Sequence, residues 1–326
     1  MRVLVMGGTG FVGSAICAAL RAHGDDVVAA DIAPPRPATA RLLEGIPFIG
    51  VRVQDFYEVL GAVRDTGPDV LVNLSYIAGA ASEQAPFMAG LVNLQGPLNC
   101  LEAAAFCGVR RVVYASSIAV YGPDQQLYGE RDVTEDDSCP IAAHTLSYGA
   151  TKAINEFMTR KLAQHHGLDV TGLRLSIVFG AGREKGFTTW ASDIGSLPAV
   201  GEEVAIPYRA EQRSSLIYVD DAADLFVRAA YDARPGVQIY NSGGHSVTMK
   251  QLADAITSIE PAARVRFAES ASDQPFVSRV SGARVSRELG FRLTSLDAAL
   301  RHHMDQARVA RSLEPRYRAG SASPNI

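Results

Sequence analysis

The sequence is poor in the features that mark a disulfide scaffold, a metal protein or a membrane protein. Only four cysteines occur in 326 residues, Cys17, Cys100, Cys107 and Cys139, with no CxxC pair and no metal-ligand spacing. That scatter predicts reduced thiols in a reducing compartment, with Cys17 and Cys100 as small core residues inside helical patterns. The seven histidines form no HExxH, and the adjacent pairs beginning at His165 and His302 read as solvated helix ends, so no metal is assigned. No apolar run reaches the length of a bilayer span. The chain enters an apolar strand at once, without a charged segment and apolar leader. The expectation is a cytoplasmic protein with no membrane partner. A net charge of -4 without a block of either sign gives no reason to expect nucleic acid. Internal repeats and low-complexity segments are absent as well.

What is present is an ordinary globular composition, 47% hydrophobic and 20% charged, able to bury a sizeable core. The length predicts one large domain with an appended lobe, or two domains.

The stretch from Arg2 to Gly13 organises the rest. Val3, Leu4, Val5 and Met6 form a short apolar run that breaks into Gly7, Gly8 and Gly10, and a helical pattern follows through Ala15, Ile16, Ala19 and Leu20. Strand, tight turn and helix start come in that order, with glycines spaced either Gly8-x-Gly10-x-x-Gly13 or Gly7-x-x-Gly10-x-x-Gly13. Both spacings bring bare backbone N–H groups to a helix N-terminus, where a phosphate is favoured. Asp31 ends a second strand about 20 positions on, where a carboxylate accepts the hydroxyls of an adenosine ribose. A tight turn with no ligand is the plain alternative.

The first half continues as alternating elements: strands at 46–53, 69–74, 111–116 and 170–178, helices at 56–64, 87–107 and 147–165. Strands this apolar have no solvent-facing side, so they predict an α/β fold whose parallel sheet is covered by helices on both faces. Ligands on such sheets sit beyond the carboxyl ends of the strands. After Phe179 the pattern turns irregular, with short strands at 203–207, 214–218 and 238–241 and helices at 220–231, 249–259 and 296–310. This reads as an intermingled second lobe.

Two sets of residues carry chemistry. Tyr148 and Lys152, at i and i+4, share one helical face. A free phenol titrates near pH 10 and is a poor acid or base at neutrality; a neighbouring cation favours the phenolate and makes Tyr148 usable as a general acid or base. Alone, such a pair is commonplace on a surface helix. Ser116 and Ser117 stand at the carboxyl edge of a buried strand, placed either to hydrogen-bond a substrate oxygen or to satisfy loop backbone.

Together, Gly7-x-x-Gly10-x-x-Gly13, Asp31, Asp55, Ser116-Ser117-x-x-Val120-Tyr121-Gly122, Tyr148-x-x-x-Lys152, Leu173-Arg174 before Phe179-Gly180, Leu216 to Asp221 and Tyr240 to Gly244 resemble the extended short-chain dehydrogenase/reductase family, the NAD-dependent epimerase/dehydratases. The resemblance covers roughly residues 1–300. It implies a Rossmann-type doubly wound parallel sheet over residues 1–179 and a smaller, intermingled C-terminal substrate-binding lobe over 180–311. Part of that lobe, about 214–241, would return to the core, and 312–326 would be a loose tail.

The resemblance also implies roles. Tyr148 would be the acid/base, Lys152 would bind the nicotinamide ribose and lower the tyrosine pKa, and Ser117 would hold the substrate oxygen. Gly7, Gly10, Phe11, Val12 and Gly13 would carry the cofactor, with Asp31 on the adenosine ribose and Asp55 with Phe56 near the adenine. Leu74 and Ser75 would line the path to the nicotinamide, with Asn93 in support. Asp31 repels a 2′-phosphate and no Arg directly follows it, so NAD is expected over NADP. The helices 87–107 and 147–165 would build a homodimer, although their apolar faces can equally be spent inside one subunit.

Departures from the family bear on substrate. Sugar-nucleotide members commonly carry Asn where this chain has Ile177, and Arg213-Ser-Ser-Leu216 replaces a common Arg-Asp-Phe-Ile. The loop containing Tyr76 and Ile77 is less polar than a sugar site requires. The expectation is hydride transfer between NAD and a small hydroxy or keto substrate, with Tyr76, Ser117, Arg209 and Arg213 as candidate substrate contacts. The alternatives are an epimerase or dehydratase acting on a nucleotide-linked sugar with resident NAD, and a non-catalytic dinucleotide sensor.

Overall fold

Alternate residues of β1 (Arg2–Met6) enter different cores, the consequence of a two-residue repeat in a strand buried on both sides. Val3 and Val5 pack with Ile16 and Leu20 of the helix Phe11–Ala22 and with the helix Val219–Tyr231, while Leu4 and Met6 pack with Val59 and Val63 of the helix Phe56–Thr66 and with Leu101 of the helix Gly96–Phe106. The computed structural model describes residues 1–77, 79–184, 186–269 and 273–317.

The further strands are β2 (Asp26–Asp31), β3 (Phe48–Gly50), β4 (Val70–Asn73), β5 (Arg111–Ser117), β6 (Asp169–Leu175), β7 (Ile177–Phe179), β8 (Val204–Ile206), β9 (Arg213–Tyr218), β10 (Val237–Asn241), β11 (His245–Thr248) and β12 (Val265–Phe267). Seven of them form one sheet in the order β10-β6-β5-β4-β1-β2-β3, parallel at every pairing. Strand order reverses between β1 and β4, so the loops leaving these two strands diverge and open a crevice. This is the expected doubly wound parallel sheet.

Several boundaries differ from the sequence expectation. The strand expected over 170–178 is two strands, because the chain leaves the main sheet at Ser176. There the Ser176 amide donates to Ser242 Oγ at 3.0 Å and its hydroxyl meets Ser215 Oγ at 2.9 Å and the Gly243 carbonyl at 2.8 Å. β7 then joins β9 and β11 in a separate three-stranded sheet. Of the segment expected to return to the core, β10 pairs with β6 in the main sheet, whereas β9 does not. The helix expected over 87–107 is interrupted by a π-helical turn at Leu91–Gln95. At the chain end, Asp305 accepts the backbone N–H groups of Arg316 and Tyr317 at 2.6 and 2.9 Å, and the buried Tyr317 donates to Glu260. The chain is therefore tied down to Tyr317, and the rest of the expected loose tail, 318–326, lies outside the described residues. Among the described residues no helix is long and apolar enough to cross a membrane.

Candidate active site

The loops at the carboxyl ends of β1, β4, β5 and β7 enclose a cavity of about 500 Å³. At one end is the glycine turn. Gly7 and Gly8 donate to the Ala30 carbonyl at 2.8 and 3.1 Å, which ties the turn to β2. Gly7 has φ +78°, and a Cβ there would meet the backbone of Leu74 and Ser75 at 2.9 Å; a Cβ on Gly13 would fall 2.1 Å from the Gly7 carbonyl oxygen. Both positions exclude a side chain because backbone passes so closely. A Cβ on Gly10, by contrast, would meet only the Gly7 carbonyl, at 3.3 Å, and would otherwise occupy the cavity itself. An open cradle beside a helix N-terminus fits a pyrophosphate.

Asp31 closes β2 beside this turn. Its Oδ2 accepts from the Thr9 hydroxyl at 2.8 Å and the Thr9 amide at 3.3 Å, and its Oδ1 from the Ile32 amide at 2.7 Å. Thr9 thus orients the carboxylate, a role the glycine spacing does not announce. Asp55 is engaged as a helix cap, its Oδ1 accepting from the Tyr57 and Glu58 amides at 2.9 and 3.2 Å, while Phe56 packs edge-on against Phe106.

Leu74 lines the cavity, and the Ser75 amide donates to Asn73 Oδ1 at 3.0 Å. Asn93 is fully buried and clamps the loop after β4: its Oδ1 accepts from the Ile77 amide and its Nδ2 donates to the Ile77 carbonyl, both at 2.8 Å. It acts on the loop, and it does not line the cavity.

The opposite end holds the chemistry-bearing side chains. Tyr148 and Lys152 project from the helix Ser147–His166, and Ser117 ends β5. Ser117 Oγ accepts from the Ala119 amide at 3.1 Å and also interacts with the Tyr148 hydroxyl. Lys152, 5% exposed, donates to the Ala115 carbonyl at 2.5 Å and stands 3.4 Å from the ring centroid of Tyr76. Tyr76 meets Tyr148 edge-on at 5.4 Å and donates to Thr151 Oγ1 at 2.9 Å.

Burial dominates both titrations. It pushes the Lys152 ammonium down to about 7, against the opposing Glu156 carboxylate. It raises the Tyr148 phenol, against the Ser117 hydroxyl and the Arg183 charge. Spacing alone predicts that Lys152 lowers the phenol; here the opposing cation is Arg183, and desolvation outweighs it.

Ser116 faces away from this pair. It donates to Glu156 Oε1 at 2.5 Å, and Arg174 grips the same carboxylate with Nε at 2.9 Å and Nη2 at 2.7 Å. Arg174 Nη1 continues to the Tyr121 hydroxyl at 2.6 Å, which donates to Asn241 Oδ1 at 2.7 Å. This buried network holds the end of β5 to the helix that carries Tyr148. Glu156 gives no signal in the sequence because its partners lie 40 and 18 residues away.

Two candidate substrate contacts are placed elsewhere. Arg209 pairs with Asp273 at 2.9 Å, and Arg213 donates to the Ser246 carbonyl at 2.6 Å; neither lines the cavity. The β9 register turns Arg213 toward β11, where its partner lies. Sequence reading also missed Arg183, Phe187 and Phe276, which line the cavity together with Tyr148. The two phenyl rings meet edge-on at 6.4 Å. Among the described residues, no group of three His, Cys, Asp or Glu side chains converges as a metal site.

Comparison with known proteins gives the family. The profile of the NAD dependent epimerase/dehydratase family matches residues 3–243. The mitochondrial L-threonine 3-dehydrogenase of Bos taurus is 28% identical over 272 residues, 82% of this chain and 70% of that protein. The UDP-glucose 4-epimerase of Mycolicibacterium smegmatis is 26% identical over 263 residues, 78% of this chain and 82% of that protein. The crystal structure of Thermus thermophilus UDP-glucose 4-epimerase in complex with NAD superposes with a TM-score of 0.77 at 27% identity, over 94% of this chain and 99% of that one.

Proposed function

From the premise that this chain belongs to the NAD dependent epimerase/dehydratase family, and is thus an NAD-dependent enzyme of the extended short-chain dehydrogenase/reductase type, we propose that it transfers a hydride between NAD and a small hydroxy or keto substrate. The observation that carries this reading is the convergence of Ser117, Tyr148 and Lys152 on one cavity with the glycine turn. When bound, the nicotinamide supplies the hydride acceptor or donor.

The chain's own residues move the proton. In the oxidative direction the substrate hydroxyl is held by Ser117 Oγ, and Tyr148, as phenolate, takes its proton at Oη. In the reductive direction the neutral phenol returns it. Lys152, when protonated, orients the nicotinamide ribose and favours the phenolate. Gly7, Gly10, Phe11, Val12 and Gly13 receive the pyrophosphate, Asp31 the adenosine ribose, and Asp55 with Phe56 the adenine end; Leu74 and Ser75 border the nicotinamide, with Asn93 fixing their loop through Ile77. Asp31 favours NAD over NADP by charge, and comparable catalytic efficiency with NADP would contradict that.

A small substrate is favoured over a nucleotide-linked sugar because Arg209 and Arg213 do not line the cavity. Tyr76, Ile77, Leu146, Phe187 and Phe276 make the remaining wall largely apolar. Residues 180–311 form mainly the substrate side of the site in this reading. NADH absorbance, followed against hydroxy acids, sugar acids, polyols and UDP-sugars, tests it. Net cofactor turnover with a small substrate is expected; interconversion of a UDP-sugar without net turnover would overturn it in favour of an epimerase.

The proposal extends to a cytoplasmic homodimer. Phe87 and Phe157 are 76% and 56% exposed on the two helical segments expected at the interface, and a monomeric mass at micromolar concentration would exclude that assembly. Fractionation recovering the protein outside the cytoplasm would exclude the location.

A further inference from the structure

We propose that Arg183 is an oxyanion-binding residue of this cavity, an inference that rests on the cofactor reading above. Arg183 lies between β7 and the helix Trp190–Ser196. Gly180, Gly182 and Gly186 around it have φ of +148°, +103° and +116°. A Cβ on Gly180 would fall 2.5 Å from Val219 Cγ1 and 3.5 Å from Phe11 Cζ, so the loop is pressed against the first residue of the helix that follows the glycine turn.

The guanidinium is set by that path. Its Cζ stands 4.6 Å from the centroid of the Phe11 ring, and Nη2 donates to the Val178 carbonyl at 3.2 Å. Nε is shielded from solvent and has no hydrogen-bond partner. Among the described residues no carboxylate pairs with it, whereas the adjacent Glu184 pairs with Arg36 at 3.2 Å. Of the other cations in the wall, Arg36 is held by that Glu184 pair and Lys152 by the Ala115 carbonyl and the Tyr76 ring. Burial pushes the Arg183 guanidinium down to about 10.

A partly buried guanidinium whose shielded Nε donor is unused is costly unless a ligand completes it. A planar fork of N–H donors matches a carboxylate or phosphate oxyanion. Arg183 stands between Phe11, at the phosphate end of the cavity, and Tyr148, whose phenol its charge lowers. Two oxyanions fit that chemistry: the cofactor's pyrophosphate, and a carboxylate on the hydroxy or keto substrate.

The test is NADH binding by fluorescence titration, with and without saturating malonate, on the full-length wild type and on Arg183→Gln and Arg183→Lys. Circular dichroism checks that each variant is folded, and the lysine variant keeps the charge if the glutamine variant is not. Pyrophosphate binding predicts that NADH binds about tenfold or more weakly to Arg183→Gln, the loss expected for a charge-assisted hydrogen bond, with partial recovery in Arg183→Lys. Carboxylate binding predicts NADH affinity within about twofold of wild type and loss of the malonate-dependent tightening seen in wild type. NADH affinity and malonate response both unaltered in a folded Arg183→Gln would overturn the assignment while leaving the cofactor reading intact. A wild type that binds no NADH would overturn both.

Discussion

Replacing Glu156 by glutamine keeps the shape of the side chain and removes its charge. The native carboxylate receives Nε and Nη2 of Arg174 and the Ser116 hydroxyl, and the two ion-pair side chains are only 9% and 6% exposed. Glutamine offers one acceptor oxygen in place of two and leaves the guanidinium charge uncompensated. Breaking a buried pair from one side costs about 3–5 kcal/mol. Unfolding entropy of ~2.1 cal/mol/K per residue over 326 residues is about 0.7 kcal/mol/K, so the midpoint of a single-step thermal transition should fall by about 4–7 °C. Circular dichroism during heating, at neutral pH without cofactor, measures it. The double variant Glu156→Gln/Arg174→Met removes both charges and should recover at least half of the loss, since an apolar replacement of a whole buried pair is often neutral. A fall of less than about 1 °C in the single variant, or a double variant no better than the single, refutes the argument that this pair is held by uncompensated charge.

Two further outcomes follow from the same geometry. Tyr148→Phe should lower kcat by about 10²–10⁴-fold, the range of a general acid/base, while NADH titration shows unchanged affinity; retained turnover would remove Tyr148 from the proton transfer. Lys152 has a folded-state pKa near 7, below its ordinary 10.5, so between these values the unfolded chain binds the proton more tightly and stability rises with pH. The penalty is fully present below about pH 7 and fades toward pH 10. Lys152→Met should therefore be more thermostable than wild type in acid, with the gap closing as pH rises, and a constant gap across that window would show that burial of the ammonium is not the cause.

Local chemistry is legible in the chain itself. Strand, glycine turn and helix can be read at Arg2 to Gly13 because each depends on neighbours within a few residues, and the i, i+4 placement of Tyr148 and Lys152 needs only a helix. The unbroken apolar run of β1 likewise implies a sheet covered on both faces, and the two cores divide as the two-residue repeat of a strand requires. Spacing also announces Asp31, though not the Thr9 hydroxyl that orients it.

What the tertiary structure alone decided concerns groups whose partners are far along the chain. Asn93, expected in support of the cofactor site, clamps the Ile77 backbone, and Ser116, open in the sequence between substrate and loop backbone, binds Glu156. Arg209 and Arg213 carry the right charge for a substrate but fold toward Asp273 and β11. The sequence by itself determined the parallel sheet, the glycine turn and the shared helical face of Tyr148 and Lys152, because hydrophobic period and glycine spacing are local constraints. Only folding decided that Arg36 and Arg183 line the cavity while Arg209 and Arg213 do not, and how far burial outweighs charge at Lys152 and Tyr148, because desolvation and Coulomb interactions depend on every chain segment that closes over the site.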